Sequence, residues 1–183
     1  MSRDDHRSLH PAEQNIRCLQ QGRELLAGLS TELYSRCVLT GASGSVGGQF
    51  RHCIDYYHCL LRGAASARID YDRRERNPAL EQDPAAAREA LADLERRLAE
   101  IDGDLACRVV EVKADRFGVG AAARSEWVGS TLERELLFLL SHTVHHFALI
   151  GLMLRQLGAP VDPTFGVAPS TLEHWGDSTQ CVR

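Results

Sequence analysis

The sequence lacks a surplus of basic residues. Lysine and arginine together number 21, against 25 aspartates and glutamates, and the formal net charge at pH 7 is -4. A protein that binds nucleic acid presents a concentration of cations that neutralises phosphates. This charge balance therefore makes nucleic acid a poor candidate partner.

The sequence also lacks an apolar signal segment at its N-terminus and a CxxC pair of cysteines. The N-terminus reads MSRDDHRSLH, so we expect no secretion and a cytoplasmic location. None of the cysteines shows the CxxC spacing of closed zinc sites. We therefore expect reduced thiols that pack mostly as small apolar groups. The six cysteines are Cys18, Cys37, Cys53, Cys59, Cys107 and Cys181.

One long apolar run is present, and no second one accompanies it. The run LLFLLSHTVHHFALIGLML, from Leu136 to Leu154, carries no formal charge and is about long enough to cross a bilayer. Three histidines lie at its middle, where lipid would be most costly and no other apolar segment would shield them. We therefore predict a helix buried in a soluble bundle, and no membrane partner.

Apolar residues at helical spacing predict four helices. Polar capping residues, prolines near the first turn and glycine-rich breaks mark their ends. The fourth helix is expected to start at a capping box formed by Ser130 and Glu133 and to stop at a Gly-Ala-Pro sequence. The predicted helices cover about Pro11–Cys37, Ser45–Ala67, Asp83–Ile101 and Ser130 to residues 158–160.

The connections complete the predicted architecture. IDYDRRERNPALEQ is highly charged and without periodicity, which indicates a long surface crossover between the second and third helices. Alternation in CRVVEVKAD and RSEWVGS predicts a β-hairpin before the last helix. We expect one all-α domain over residues 1–183, a four-helix bundle with its core at about 11–158, this short hairpin insertion, and an irregular tail at 159–183.

The histidines carry the clearest chemical signal. His142 and His146 are four residues apart in a predicted helix, so both imidazoles project from one face and can bind one metal ion. His52, on the second helix, is the best third ligand because a neighbouring helix can present an inward side chain level with the pair. His58 lies about 120° from His52 around its helix, and His145 about 100° from His146, so we assign neither to the ion.

Histidines satisfied by hydrogen bonds are also common in cores, so the spacing alone is a weak signal. The histidines of the last helix lie between LLFLLS and FALIGLML, so each ring needs partners for two nitrogens in an apolar setting, and a metal ion supplies one of them. Imidazole suits zinc or nickel. Three nitrogen ligands without the spacing of a closed site predict an ion with open coordination positions.

Several neighbouring residues have a functional and an ordinary interpretation. Glu135 lies on the face of His142, and Asp55 and Tyr56 lie on that of His52. They are candidates to orient a ligand or accept a proton. A first-turn acid favoured by the helix dipole, or an ordinary hydrogen-bonded helix face, is the alternative.

The crossover and two cysteines have similar pairs of interpretations. Tyr71, Arg73, Arg74 and Arg76 are candidates to bind an anionic thiol or its carboxylates, but charge runs are usually solvated surface. Cys53 and Cys59 lack a matching nucleophile arrangement, so we expect buried small residues.

The segments GSVGGQFRHCIDYYHCLL and RELLFLLSHTVHHFALIG resemble the DinB/YfiT-like metalloenzymes. That family has one histidine on the second helix and an HxxxH pair on the last. The resemblance implies an up-down-down-up four-helix bundle, often a homodimer, with a metal at one end held here by His52, His142 and His146. It also implies activation of a low-molecular-weight thiol, such as bacillithiol, mycothiol or glutathione, or isomerisation of a thiol adduct.

The sequence thus predicts a metal-dependent enzyme that acts on small molecules, with a thiol transferase as the leading hypothesis. The expected cofactor is one divalent ion, zinc or nickel, with a low-molecular-weight thiol as cosubstrate. A non-catalytic module that binds a metal or small ligand, or that uses its metal only to lock two helices together, is the alternative from another class. Hydrolysis by metal-bound water is a third hypothesis. No residue identifies the particular thiol or electrophile.

Overall fold

The structure is a computed structural model and describes residues 10–39, 44–113 and 127–180. Within these ranges the chain is mostly helical, with a small sheet. The helices are Pro11–Ala27 (α1), Thr31–Ser35 (α2), Val46–Ala64 (α3), Ala79–Gln82 (α4), Pro84–Leu98 (α5), Gly103–Ala106 (α6), Leu132–Gln156 (α7) and Pro169–Gln180 (α8). The strands are Arg68–Asp70 (β1), Val109–Lys113 (β2) and Val128–Thr131 (β3).

Four long helices, α1, α3, α5 and α7, form the core. Helix α1 packs against α5 and α7, and α3 packs against the same two helices. All four contribute fully buried side chains, among them Leu19, Ile54, Leu91 and Leu139. The four predicted helices are therefore present. Their relative directions, and the single domain over residues 1–183, stay predictions.

Helices α3 and α5 begin where the capping residues predict. The Ser45 hydroxyl accepts a hydrogen bond from the backbone N–H of Gly48 at 3.0 Å, and the Asp83 carboxylate accepts one from Ala85 at 2.8 Å. Each cap satisfies a backbone donor that has no partner within the helix.

The first helix is shorter than predicted. It ends at Ala27, with Gly28 as its C-cap, and Ser30 starts the separate helix α2 by accepting a hydrogen bond from the Leu33 N–H. Glycine disfavours helix continuation and serine favours a new N-cap, so two local signals outweigh the apolar periodicity that continues to Cys37. Tyr34, which is fully buried, packs α2 against Phe50 of α3.

The prediction of a mostly helical fold is confirmed, but the predicted hairpin is part of a larger, three-stranded mixed sheet beside the bundle. The predicted hairpin is present as the antiparallel pair β2 and β3, and the residues that join them lie outside the described ranges. The crossover supplies β1, which pairs in parallel with β2 and buries Ile69 completely. Part of the predicted surface connection is therefore internal.

The last long helix also starts differently. Thr131, not Ser130, is its N-cap and accepts a hydrogen bond from the Arg134 N–H, so the predicted Ser130–Glu133 capping box is wrong. Ser130 instead lies within β3, where pairing with Val110 fixes its backbone.

The predicted irregular tail is partly ordered. Phe165 stacks on Phe147 with ring centroids 4.9 Å apart, and Gly166 adopts a φ of 72° that glycine tolerates. Helix α8 follows at Pro169. The tail therefore packs back onto α7 directly after His146.

A buried polar network connects three of the long helices. The Tyr57 hydroxyl of α3 donates to the Asn15 side-chain oxygen of α1 at 2.6 Å and accepts from the Thr143 hydroxyl of α7 at 3.1 Å. The Asn15 amide donates to the Leu136 carbonyl at 2.9 Å. Because buried polar groups are costly when unpaired, these bonds favour one register of α1, α3 and α7.

Among the described helices, α7 has the length and composition of a membrane span, with a mean hydropathy of 1.6 in its most apolar window. The core helix of a soluble protein passes the same test. Here α7 packs against α1 and α3. The absence of a membrane partner stays a prediction.

We expect Gly63→Ala to destabilise the fold. A Cβ at this position would lie 2.4 Å from the Arg68 carbonyl oxygen, so β1 would have to move away from α3. The free energy of unfolding should fall by about 1–3 kcal/mol in denaturant titrations. Gly103→Ala is the matched control, because a Cβ there meets nothing within 4 Å. Equal stability of both variants would contradict the close contact between α3 and β1.

Candidate metal centre

The structure brings the three predicted histidines together. His52 projects from α3, and His142 and His146 project from successive turns of α7, the helix against which α3 packs. One nitrogen of each ring lies within 4.8 Å of the other two, and all three residues are half-buried. No fourth histidine, cysteine or carboxylate belongs to this cluster in the part of the chain that the structure describes.

The nitrogen positions are compatible with a common ion. The Nε2 atoms of His52 and His142 lie 3.2 Å apart. Two nitrogen ligands of a tetrahedral zinc ion are separated by about 3.3 Å, given zinc–nitrogen bonds of about 2.0–2.1 Å. The ring centroids of His142 and His146 are 4.5 Å apart. These nitrogens therefore lie close to the spacing that a common metal ion requires.

Gln49, a residue that the sequence did not single out, orients the ring of His146. Its Nδ1–H donates to the Gln49 side-chain oxygen at 2.5 Å, which leaves the Nε2 lone pair for the ion. Gln49 is buried and lies one turn before His52 in α3. That three-residue spacing was the available signal.

The other two rings have different partners. A guanidinium nitrogen of Arg74 lies 3.2 Å from Nδ1 of His52, and the buried Nδ1 of His142 has no hydrogen-bond partner. His142 therefore lacks the outer hydrogen-bond partner that metal-binding histidines usually have. The donor set of three imidazoles fits zinc or nickel.

Burial keeps the cluster uncharged. It lowers the pKa of His52 and of His142 to about 4, and that of His146 to about 3. Neighbouring positive charges lower these pKa values further: histidine rings act on all three residues, and Arg74 acts on His52 and His142. Neutral imidazole is the form that binds metals, so the ligands are ready at neutral pH.

Aromatic rings line one side of the cluster. The Tyr56 ring lies 4.9 Å from the His52 ring and 4.4 Å from the His142 ring, and Phe138 lies 5.7 Å from His142. Tyr71, in the crossover, stacks on Tyr56 at 5.1 Å. This lining restricts water and gives the site an apolar wall.

Glu135 is connected to the site indirectly. Its carboxylate accepts hydrogen bonds from the Tyr71 hydroxyl at 3.0 Å and the Ser130 hydroxyl at 2.6 Å, and it forms an ion pair with Arg134. Glu135 therefore contacts Tyr71, which in turn stacks on Tyr56. Its predicted role beside a ligand stays a prediction.

Asp55 is buried on α3 and forms an ion pair with Arg51 at 3.4 Å. Its other carboxylate oxygen has no hydrogen-bond partner. Burial raises the pKa of this carboxyl, and Arg51 opposes that shift. A role in the site stays a prediction for Asp55 too.

The remaining candidates lie outside the cluster. His58 is half-buried near the charges of α5, and His145 is exposed with its ring edge toward His146. Arg73 and Arg76 are exposed. Cys53 and Cys59 are buried, as expected, with exposures of 0% and 2%.

The fold and this cluster define a mostly helical protein with a three-histidine site. The DinB family matches residues 6–176, so the chain belongs to the DinB family. A Rhizopus delemar protein described as FK506-binding protein 5 is 30% identical over 106 residues, which are 58% of this chain. The matched region spans 27% of that relative's length.

We expect Gln49→Leu to weaken zinc binding by about 10–100-fold, because the His146 ring loses the acceptor that orients it. Competition with a chromophoric chelator measures the affinity. Gln49→Glu, which keeps an acceptor, should retain the affinity. Gln82→Leu, on an exposed residue of α4, controls for the loss of an amide. Equal affinities for all four proteins would contradict the orienting role.

Metal binding should resist acid more than binding by ordinary histidines. Protons compete for a ring only near and below its pKa, and here the three values lie at about 3 to 4. The apparent affinity should therefore be nearly constant from about pH 7.5 to about pH 5.5 and fall at lower pH. Chelator competition across this range tests the expectation, and a loss that begins near the usual histidine pKa would contradict it.

Proposed function

We propose that this protein is a metal-dependent enzyme whose three-histidine site activates a low-molecular-weight thiol for transfer to a small electrophile. One observation carries the proposal: nitrogens of His52, His142 and His146 converge within 4.8 Å from two packed helices. Membership of the DinB family also supports it, because the segments in which this sequence resembles that family contain the same three histidines. The relative's name refers to FK506 binding and concerns a protein of which only a part matches.

The number of ligands favours catalysis over a purely structural metal. Structural zinc sites use four protein ligands, whereas catalytic sites use three and leave a position for water or substrate. The cluster has three members among the described residues. A bound zinc or nickel ion lowers the pKa of a thiol or water that it binds, so that a nucleophile forms at neutral pH.

The buried cysteines are poor candidates for the nucleophile. Burial raises the pKa of Cys18 to about 12 and raises that of Cys53 and Cys59 as well. A buried thiol of raised pKa contains little thiolate at neutral pH. This favours a thiol that enters from solution as the reacting group.

The surrounding residues have separate tasks in this proposal. Gln49 keeps the proton of His146 on Nδ1, Tyr56 and Phe138 exclude water, and Glu135 positions Tyr71 against Tyr56.

The homodimer and the cytoplasmic location stay predictions.

Metal content is the first test. We expect the purified protein to bind about one equivalent of zinc or nickel. His52→Ala or His142→Ala should abolish that binding, because the two imidazoles that remain in either variant do not complete the site. Elemental analysis after dialysis provides the measurement. His145→Ala is the matched control, since this ring is exposed on the same helix. Retention of the metal by both ligand variants would overturn the assignment.

Thiol binding is the second part of the test. Glutathione and other biological thiols are added to cobalt-substituted protein, and the thiolate-to-cobalt absorption and transfer to an electrophilic acceptor are recorded. New absorption together with transfer supports the proposal. A bound metal whose spectrum no thiol changes would favour a non-catalytic role, and thiol-independent ester cleavage would favour a hydrolase.

A further inference from the structure

Arg74 lies at the edge of the histidine cluster. It belongs to the segment that follows β1, and it is half-buried. Its Nη1 atom is 3.2 Å from Nδ1 of His52, and its guanidinium carbon lies 5.5 Å from the centre of the Tyr56 ring. The same Tyr56 ring contacts His52 and His142. Arg74 is thus the cation in direct contact with a proposed ligand in the described part of the chain.

The contact with Arg74 determines where the proton of His52 lies. A guanidinium only donates hydrogen bonds, so Nδ1 of His52 must accept, and the neutral ring carries its proton on Nε2. That Nε2–H donates to Nε2 of His142 at 3.2 Å. The proton of His142 is then on Nδ1, the buried atom that has no partner. The hydrogen bond from Arg74 therefore leaves Nε2 of His52 protonated and Nε2 of His142 as its acceptor. Neither Nε2 atom then has a free lone pair for a metal ion.

His146 shows the opposite arrangement. Gln49 accepts from its Nδ1–H and leaves Nε2 with a lone pair. A metal that binds Nε2 of His52 requires the same form, with the proton on Nδ1. The ring stays neutral and no proton leaves it, but Nδ1 then becomes a donor that faces a second donor, the Arg74 guanidinium. The two groups must separate.

We propose that Arg74 leaves His52 when the metal binds and becomes the recognition group for a carboxylate on the small molecule that occupies the open coordination position. This inference rests on the proposed function, because it assumes a metal at the cluster. It assigns the substrate class: the thiol or its acceptor carries a carboxylate close to the reacting atom.

The chemistry of arginine favours a carboxylate as the new partner. The planar guanidinium binds carboxylates with two parallel hydrogen bonds. Partial burial strengthens this interaction relative to water. The position of Arg74 over Tyr56 keeps the guanidinium within reach of the cluster after it leaves His52.

A consequence is that metal and carboxylate favour each other. A carboxylate that draws Arg74 away frees His52 for the metal, and a metal frees Arg74 for the carboxylate. Such coupling is reciprocal by thermodynamic necessity. Neither ligand needs to contact the other.

The first experiment uses two small thiols that differ in the carboxylate. Cobalt-substituted protein is titrated with 3-mercaptopropionate and with 2-mercaptoethanol, and the thiolate-to-cobalt absorption reports binding. We expect wild type to bind the carboxylate-bearing thiol about tenfold more tightly and Arg74→Gln to bind both equally. Arg73→Gln removes the same charge from an exposed neighbour and should keep the preference.

A second arm covers a carboxylate on the acceptor. Succinate is titrated by calorimetry into cobalt protein saturated with 2-mercaptoethanol, in wild type and in Arg74→Gln. Weaker binding to the variant in this arm assigns the carboxylate to the acceptor, and loss of preference in the first arm assigns it to the thiol. If neither arm depends on Arg74, the proposal is overturned.

Metal affinity supplies a readout that needs no substrate. Glutamine at position 74 can accept from Nδ1–H, as Gln49 does for His146, so Arg74→Gln should bind zinc about tenfold more tightly than wild type. Weaker zinc binding by this variant would overturn the proposal. Failure of the proposed function is distinct, since wild type, Arg73→Gln and Arg74→Gln would then all lack metal, or would bind it without admitting any thiol.

Discussion

The register between α3 and α7 depends on a buried hydroxyl, that of Tyr57. This hydroxyl is hydrogen-bonded to Thr143 of α7 and to Asn15 of α1. All three side chains are buried, so their polar groups need these hydrogen bonds. Thr143 follows His142 directly in the chain. A shift of α7 by one turn would break the network and would also move the two α7 ligands away from His52. The same interaction that stabilises the bundle therefore positions the site.

Partners of the ligands, more than the ligands themselves, distinguish the three rings. All three histidines are half-buried and neutral, yet Gln49 prepares His146 for a metal whereas Arg74 holds His52 in the opposite tautomer. Outer partners of this kind change metal affinity by about 10–100-fold. In the proposed function, one acceptor and one donor behind the ligands place the site between a metal-free hydrogen-bonded state and a metal-bound state, and a substrate that binds Arg74 shifts the balance toward the second.

The histidine cluster was predictable because its geometry is local. His142 and His146 share a helix face at any tertiary arrangement, and His52 needed only one neighbouring helix. The spacing of Gln49 from His52 indicates a shared helix face, and Arg74 was a candidate for substrate binding, but neither signal identifies the ring that each contacts. Those contacts depend on the register of α3 against α7 and on the path of the crossover. Strand β1 was missed for a related reason: its three residues place one apolar side chain, Ile69, between charged neighbours, and only pairing with β2 makes them a strand.

The small sheet thereby gains a role that the bundle alone could not provide. Parallel pairing of β1 with β2 ends at Asp70, and the Tyr71 N–H donates to the Lys113 carbonyl at 2.9 Å, which continues the restraint by one residue. Tyr71 is then held by Glu135 of α7 and stacks on Tyr56 of α3. Three residues further on, Arg74 reaches His52. Backbone pairing with β2 thus fixes one end of the charged crossover, and contacts with α3 and α7 fix its side chains. For this reason a segment that resembles solvated surface in the sequence places a cation beside the cluster.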